Sequence, residues 1–145
     1  MKFVALGLIV SALAIAPAHA AGDADAGAKV FKRCASCHAV GEGAKNKVGP
    51  ELNELFGRTA GTLPDYKYSQ AMIDAGAGGL VWAPETLGPY LHDPKAHVPG
   101  TKMAFPGLKK DEEVENVIAY LGTFSPDYVP AEGAAPADAA APAAQ

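Results

Sequence analysis

Cys34-Ala35-Ser36-Cys37-His38 places the only two thiols of the 145-residue chain three positions apart and follows them at once with an imidazole. On a helical turn, residues three apart share a side, so both sulfurs can reach one edge of a flat group while the next side chain points at its centre. That is the attachment pattern of haem c, with two thioether bonds to the vinyl groups of one porphyrin edge and a histidine for the iron. Three other chemistries use similar residues. A redox-active C-x-x-C of thioredoxin type sits behind a strand in a βαβ unit, and no such unit is readable here. A zinc site needs a fourth ligand at suitable spacing, and beyond residue 20 the only other histidines are His92 and His97. A plain disulfide, the default pairing in an exported protein, leaves the adjacent His38 unexplained.

An iron held by His38 needs a sixth ligand or an open position. Met72, Met103, His92, His97 and the lysines are the available groups. A lone methionine is usually core filler and a lone histidine usually a surface group. Met103, however, lies in Pro99-Gly100-Thr101-Lys102-Met103-Ala104-Phe105, a non-helical stretch that can fold back over the opposite haem face. Met72 falls on a short helix, where packing explains it. A His/Met pair saturates the iron and raises its reduction potential. Oxygen and peroxide then have no place to bind, which leaves one-electron transfer rather than an enzymatic reaction.

The elements that must position these groups read as helices joined by long Gly/Pro-rich segments, an all-α pattern of four to five short helices. A first helix starts at an Asp23 cap and places Gly27, Val30, Phe31 and Cys34 on one face, running directly into the cysteines. The last helix has Val114, Val117, Ile118 and Leu121 at i, i+3, i+4 and i+7, with Asp111, Glu112 and Glu113 at its positive end and Gly122 as its stop. Between them, Ser69 caps a helix through Ala75 ending at Gly76. Pro84-Glu85 opens another that carries Leu87, Tyr90 and Leu91, with a kink or shortened first turn expected at Gly88-Pro89. The segments 39–67 and 93–109 show little regular structure. Loops that long in a compact domain need something large to wrap, and a buried cofactor serves.

The length fits one domain. Residues 1–20 read as a cleaved export signal: Lys2 is the positive start, Phe3 to Ile15 the apolar run, and Ala18-His19-Ala20 the small-residue cleavage site. The run is shorter than the roughly 20 residues that span a bilayer, so no membrane insertion of the mature chain is expected. The domain spans 21–129. From Pro130 to Gln145 the chain is almost all Ala and Pro, a composition that cannot offset its ordering entropy and reads as a disordered tail. Without the signal, 11 Lys+Arg stand against 16 Asp+Glu, a formal charge of −5 that argues against nucleic acid as a partner.

Several ordered motifs beyond the cysteines carry a family resemblance. They are Gly27 and Phe31 ahead of Cys34, then Gly49-Pro50-Glu51-Leu52, Phe56-Gly57-Arg58 and Tyr66-Lys67-Tyr68-Ser69. Trp82, Tyr90-Leu91, Pro94-Lys95, Pro99-Gly100-Thr101-Lys102-Met103 and Ala119-Tyr120-Leu121 complete them. Over 22–124 the chain resembles the class I cytochromes c, in the branch of bacterial cytochrome c2 and mitochondrial cytochrome c. The resemblance implies one covalent haem c wrapped by helices and loops, with His38 and Met103 as iron ligands. It implies that the Pro50 carbonyl accepts the His38 Nδ1–H, and that Arg58, Tyr68 and Trp82 bind the buried propionate. Tyr90 and Thr101 would orient the Met103 sulfur, and Gly27 would let the first helix approach the last, with Phe31 against Tyr120 and Leu121. The chain departs from the family at Met72, where a polar residue is usual near the inner propionate, at Gly88-Pro89, in the longer segment before Trp82, and in the tail.

The same resemblance places Arg33, Lys45, Lys47, Lys95, Lys102, Lys109 and Lys110 around the exposed haem edge, with the acids elsewhere. A monomeric periplasmic carrier is then expected, docking this face on membrane redox complexes such as a cytochrome bc1 complex, a photosynthetic reaction centre or a terminal oxidase. Such encounters are fast, salt-sensitive and small, burying under about 1,200 Å².

Overall fold

The computed structural model describes residues 22–128; the expected export signal and the Ala/Pro-rich tail lie outside the described residues. Five helices follow one another along the chain: α1 (Ala24–Phe31), α2 (Gln70–Ala77), α3 (Pro84–His92), α4 (Pro94–His97) and α5 (Asp111–Gly122). Among the described residues the only β-type pairing is one isolated antiparallel bridge, Thr59 with Val81. None of these helices is long and apolar enough to cross a membrane.

α1 begins where the sequence places it, because the Asp23 carboxylate accepts the Ala26 N–H at 2.8 Å. The Asp23 N–H itself donates to Asn116 Oδ1 at 2.7 Å, which ties the first helix to the middle of α5. The two helices cross at Gly27. A Cβ there would lie 1.9 Å from the Asn116 carbonyl oxygen, so only glycine allows the backbones this close. Past the crossing, the Phe31 ring packs 5.3 Å from Tyr120, and Tyr120 in turn meets Phe124 edge-on at 5.1 Å.

α2 is longer than expected. Ser69 caps it, its Oγ accepting the Met72 N–H at 3.2 Å, but the helix continues past Gly76 to Ala77 and closes on Gly78. Gly76 is a contact residue and not a stop: a Cβ would meet the Ala60 carbonyl oxygen at 1.9 Å. α3 runs as one helix through Pro89, where the sequence predicts a kink or a shortened first turn. Proline there removes one hydrogen bond to the Glu85 carbonyl, and both residues are exposed, so water can take the freed acceptor. The 93–109 segment is less irregular than it reads, because Asp93 accepts the Ala96 N–H at 3.1 Å with Pro94 in the first helical position, and together they start the four-residue α4. Gly122 is the last residue of α5, with Thr123 as its cap.

Apolar faces of four helices converge on one interior. Phe31 of α1, Met72 of α2, Leu87, Tyr90 and Leu91 of α3, and Val114, Val117 and Leu121 of α5 are buried together with Leu55, Trp82 and Leu108 from the loops. Many of these side chains also line a cavity.

Candidate haem site

That cavity measures about 390 Å³, and its lining includes Cys34, Cys37 and His38 from the turns after α1, one wall, and Met103 from the segment before α5, the second. The cysteine motif is held on tight turns that prolong α1: Cys34 N–H donates to the Phe31 carbonyl at 2.7 Å, and Cys37 and His38 N–H both donate to the Cys34 carbonyl, at 3.0 and 2.9 Å. Both cysteines are free thiols. Burial pushes the Cys34 thiol up, against the pull of the Arg33 guanidinium and with a further rise from Cys37. A thiol held protonated is not poised for disulfide exchange.

The His38 ring is fixed from the opposite strand of the loop. Its Nδ1 is 2.7 Å from the Pro50 carbonyl oxygen, and a carbonyl only accepts, so Nδ1 carries the proton and Nε2 keeps its lone pair. Burial lowers the His38 pKa below the ordinary histidine value, outweighing the Pro50 bond, with Lys47 adding to the fall. Gly49 presses on the ring from behind; a Cβ there would come within 2.4 Å of His38 Cε1. The Gly49 N–H returns to the Cys37 carbonyl at 2.9 Å and closes this wall.

Across the cavity, Tyr90 O–H donates to the Met103 Sδ at 3.3 Å. With that proton committed, the Thr101 hydroxyl, 3.1 Å away, donates to the Tyr90 oxygen, and the Met103 N–H donates back to Thr101 Oγ1 at 3.3 Å. Burial raises the Tyr90 pKa against the opposing Thr101 hydrogen bond, with Tyr66 adding to the rise, so the phenol remains a donor. Met72 also lines the cavity as a buried methionine on α2. His92 and His97 do not: His92 turns its Nδ1 to the Leu108 carbonyl at 2.9 Å, and the exposed His97 sits edge-on to Tyr90 at 6.1 Å.

Arg58, Tyr68 and Trp82 all line the cavity. A backbone ladder puts Arg58 beside Trp82, with Gly57 N–H donating to the Trp82 carbonyl at 2.8 Å and Trp82 N–H to the Arg58 carbonyl at 2.9 Å. The Arg58 guanidinium donates to the Asn53 and Glu51 carbonyls at 3.4 and 3.3 Å and faces the Glu51 carboxylate at 3.7 Å. Trp82 packs on Tyr90 at 5.0 Å, linking these residues to the methionine wall. Burial raises the Tyr68 pKa, with Arg58 opposing it.

The comparisons agree with this geometry. The family model described as Cytochrome c matches residues 24–125. The chain is 59% identical over 105 residues to cytochrome c2 of Afifella marina, covering 72% of this chain and 85% of that protein. To cytochrome c2 of Agrobacterium tumefaciens it is 57% identical over 111 residues, covering 77% and 99%. The solved cytochrome c2 of Rhodospirillum centenum superposes with a TM-score of 0.70 at 42% identity, covering 72% of this chain and all of the other. This chain belongs to the class I cytochromes c, in the c2 branch. Cytochromes of this family carry one covalently bound haem c and are electron-transfer proteins, not enzymes.

The residues present fit such a group. Two free thiols and an imidazole with its lone pair free lie on one wall of an apolar cavity, and a thioether sulfur lies on the other. Several cavity residues carry no motif of their own. Val48, 79% exposed, and Ala104, Phe105 and Pro106 form its mouth, and the Tyr66 hydroxyl secures the Val48 carbonyl at 2.7 Å. An exposed valine in a Lys-rich loop is unremarkable in a sequence; its apolar neighbours come from a segment more than fifty residues away. Arg33, one of the cations expected around the haem edge, lines the cavity, and its guanidinium is paired with Glu113 of α5 at 2.8 Å.

Proposed function

We propose that the chain is a periplasmic one-electron carrier, a monomer whose haem iron is held by His38 and Met103. It serves membrane redox complexes such as a cytochrome bc1 complex, a photosynthetic reaction centre or a terminal oxidase. The observation that carries this reading is a pair of separately oriented donors on one cavity. His38 Nε2 is freed by the Pro50 carbonyl at 2.7 Å, and the Met103 sulfur is steadied by Tyr90 at 3.3 Å, and both residues line the same space.

Haem c, when bound, supplies the one-electron iron couple. The chain's own residues set the conditions for it. Cys34 and Cys37 hold the group irreversibly, so it is not lost between partners. His38 donates as neutral imidazole, and a soft sulfur on the other side favours the reduced metal. Because both ligands are oriented by hydrogen bonds within the protein, little has to move when the charge changes. Arg58 places a positive charge at the propionate end, where a buried carboxylate would otherwise be costly. The apolar mouth of Val48, Phe105 and Pro106, flanked by Lys102, is the face at which a partner would approach.

Met103→Ala tests the reading. The weak absorption band near the red end of the ferric spectrum, which marks Met–iron bonding, is expected to disappear while the haem stays covalently attached by mass spectrometry. Retention of the band in that variant would overturn the ligand assignment.

A further inference from the structure

We infer that His92 is a positioning residue for Met103: it pins the far end of the methionine loop to the last turn of α3. The inference rests on the reading of Met103 as an iron ligand. Between α4 and α5 the chain runs through residues 98–110 without regular structure. On the near side of Met103 this loop is tied by Thr101 to Tyr90 of α3. On the far side, among the described residues, every hydrogen bond made by residues 104–109 runs to Leu91 or His92.

Leu108 N–H donates to the Leu91 carbonyl at 2.8 Å, His92 Nδ1 donates to the Leu108 carbonyl at 2.9 Å, and Lys109 Nζ donates to the His92 carbonyl at 3.3 Å. Gly107 makes the approach possible. Its φ is +90°, and a Cβ would lie 2.0 Å from the His92 carbonyl oxygen. The Leu108 side chain is fully buried beneath the clamp, so the attachment closes over core and not over solvent. The ring's other nitrogen, Nε2, lies 3.2 Å from the exposed Asp111 carboxylate at the head of α5, a contact that attracts only the doubly protonated ring, so the tie to the loop rests on Nδ1.

The last turn of α3 therefore grips the loop on both sides of Met103, through Tyr90 before it and through Leu91 and His92 after it. Of the two backbone ties at Leu108, the one to Leu91 is made by any residue type. The one from the His92 ring depends on a side chain. Freeing it leaves Met103 hinged on Tyr90 and Thr101 with a slack segment behind.

The test measures how fast azide displaces Met103 from ferric iron, read by loss of the red-end band, in the holoprotein and in His92→Ala and His92→Asn. Asparagine keeps an N–H near the position of Nδ1. Losing one hydrogen bond to the loop is expected to speed displacement three- to tenfold in His92→Ala, corresponding to about 0.7–1.4 kcal/mol. His92→Asn is expected to stay within about twofold of the wild type. Far-UV circular dichroism in urea separates a general loss of stability from a local one. Displacement at the wild-type rate in His92→Ala, no rescue by asparagine, or an acceleration matched by the fall in global stability would each overturn the inference. A band that persists in Met103→Ala would instead overturn the ligand assignment itself.

Discussion

The two walls of the cavity are held over nearly equal sequence distances but by different kinds of group. His38 meets its partner Pro50 after 12 positions and Met103 meets Tyr90 after 13. On the histidine side the partner is a main-chain carbonyl, in a loop that is itself closed by the Gly49 to Cys37 backbone bond. On the methionine side the partners are hydroxyls, from Tyr90 and Thr101, and the imidazole of His92 beyond them. A carbonyl survives any side-chain substitution; a hydroxyl does not. Both walls are sensitive to bulk at a glycine, Gly49 on one and Gly107 on the other, but only the methionine wall is sensitive to loss of polar side-chain atoms.

Removing the shared cofactor has the largest effect. Cys34→Ser combined with Cys37→Ser is expected to abolish covalent haem by mass spectrometry and, with it, the cooperative fold. An unfilled space of about 390 Å³, at about 24 cal/mol per Å³, costs up to about 9 kcal/mol. That is comparable with the whole stability of a small domain, about 5–15 kcal/mol.

Gly49→Ala attacks the histidine wall alone. With a Cβ directed at the ring, 2.4 Å from His38 Cε1, it should lower stability in a urea titration by about 1–3 kcal/mol. Red-band loss is expected to coincide with global unfolding in this variant. A band lost well before unfolding would mean that the two walls are not separable.

Tyr90→Phe attacks the methionine wall alone. It removes the donor to sulfur for a loss of about 1 kcal/mol and makes Met103 easier to displace. The raised Tyr90 pKa also contributes one component to the alkaline behaviour. The folded protein holds this proton more tightly than the unfolded chain. Its contribution is therefore complete below the ordinary tyrosine value of about 10 and is lost as pH rises through the raised value. Titrating the red-end band with alkali should show that component in the wild type and not in the phenylalanine variant.

The smallest effect concerns the Arg33–Glu113 ion pair beside Cys34. The Arg33 hydrogen bond lowers the Glu113 pKa, so the pair stabilises above the ordinary glutamate range and is lost as pH falls through the lowered value. Arg33→Gln should shift the midpoint of acid unfolding slightly upward in pH. Added salt should erase the difference, because both groups are at the surface.

Much of this site is legible before folding because its chemistry is local. The spacing of Cys34, Cys37 and His38, the Asp23 cap and the 3.6-residue period of α5 each depend on neighbours within a turn or two. The boundaries that shift are those where a distant contact decides. Gly76 reads as a helix stop until the Ala60 carbonyl explains why it lacks a side chain. His92 reads as a spare ligand until its Nδ1 is found on the Leu108 carbonyl.

By itself, the order of residues determined the attachment motif, the helical class and the set of groups able to serve the iron, because those follow from residue type and short-range periodicity. Only the tertiary structure decided where those groups face. Which methionine has a hydroxyl on its sulfur, which histidine turns to the cavity and which glycine is a contact are questions of distance between segments far apart in the chain. Packing around a single cavity answers them.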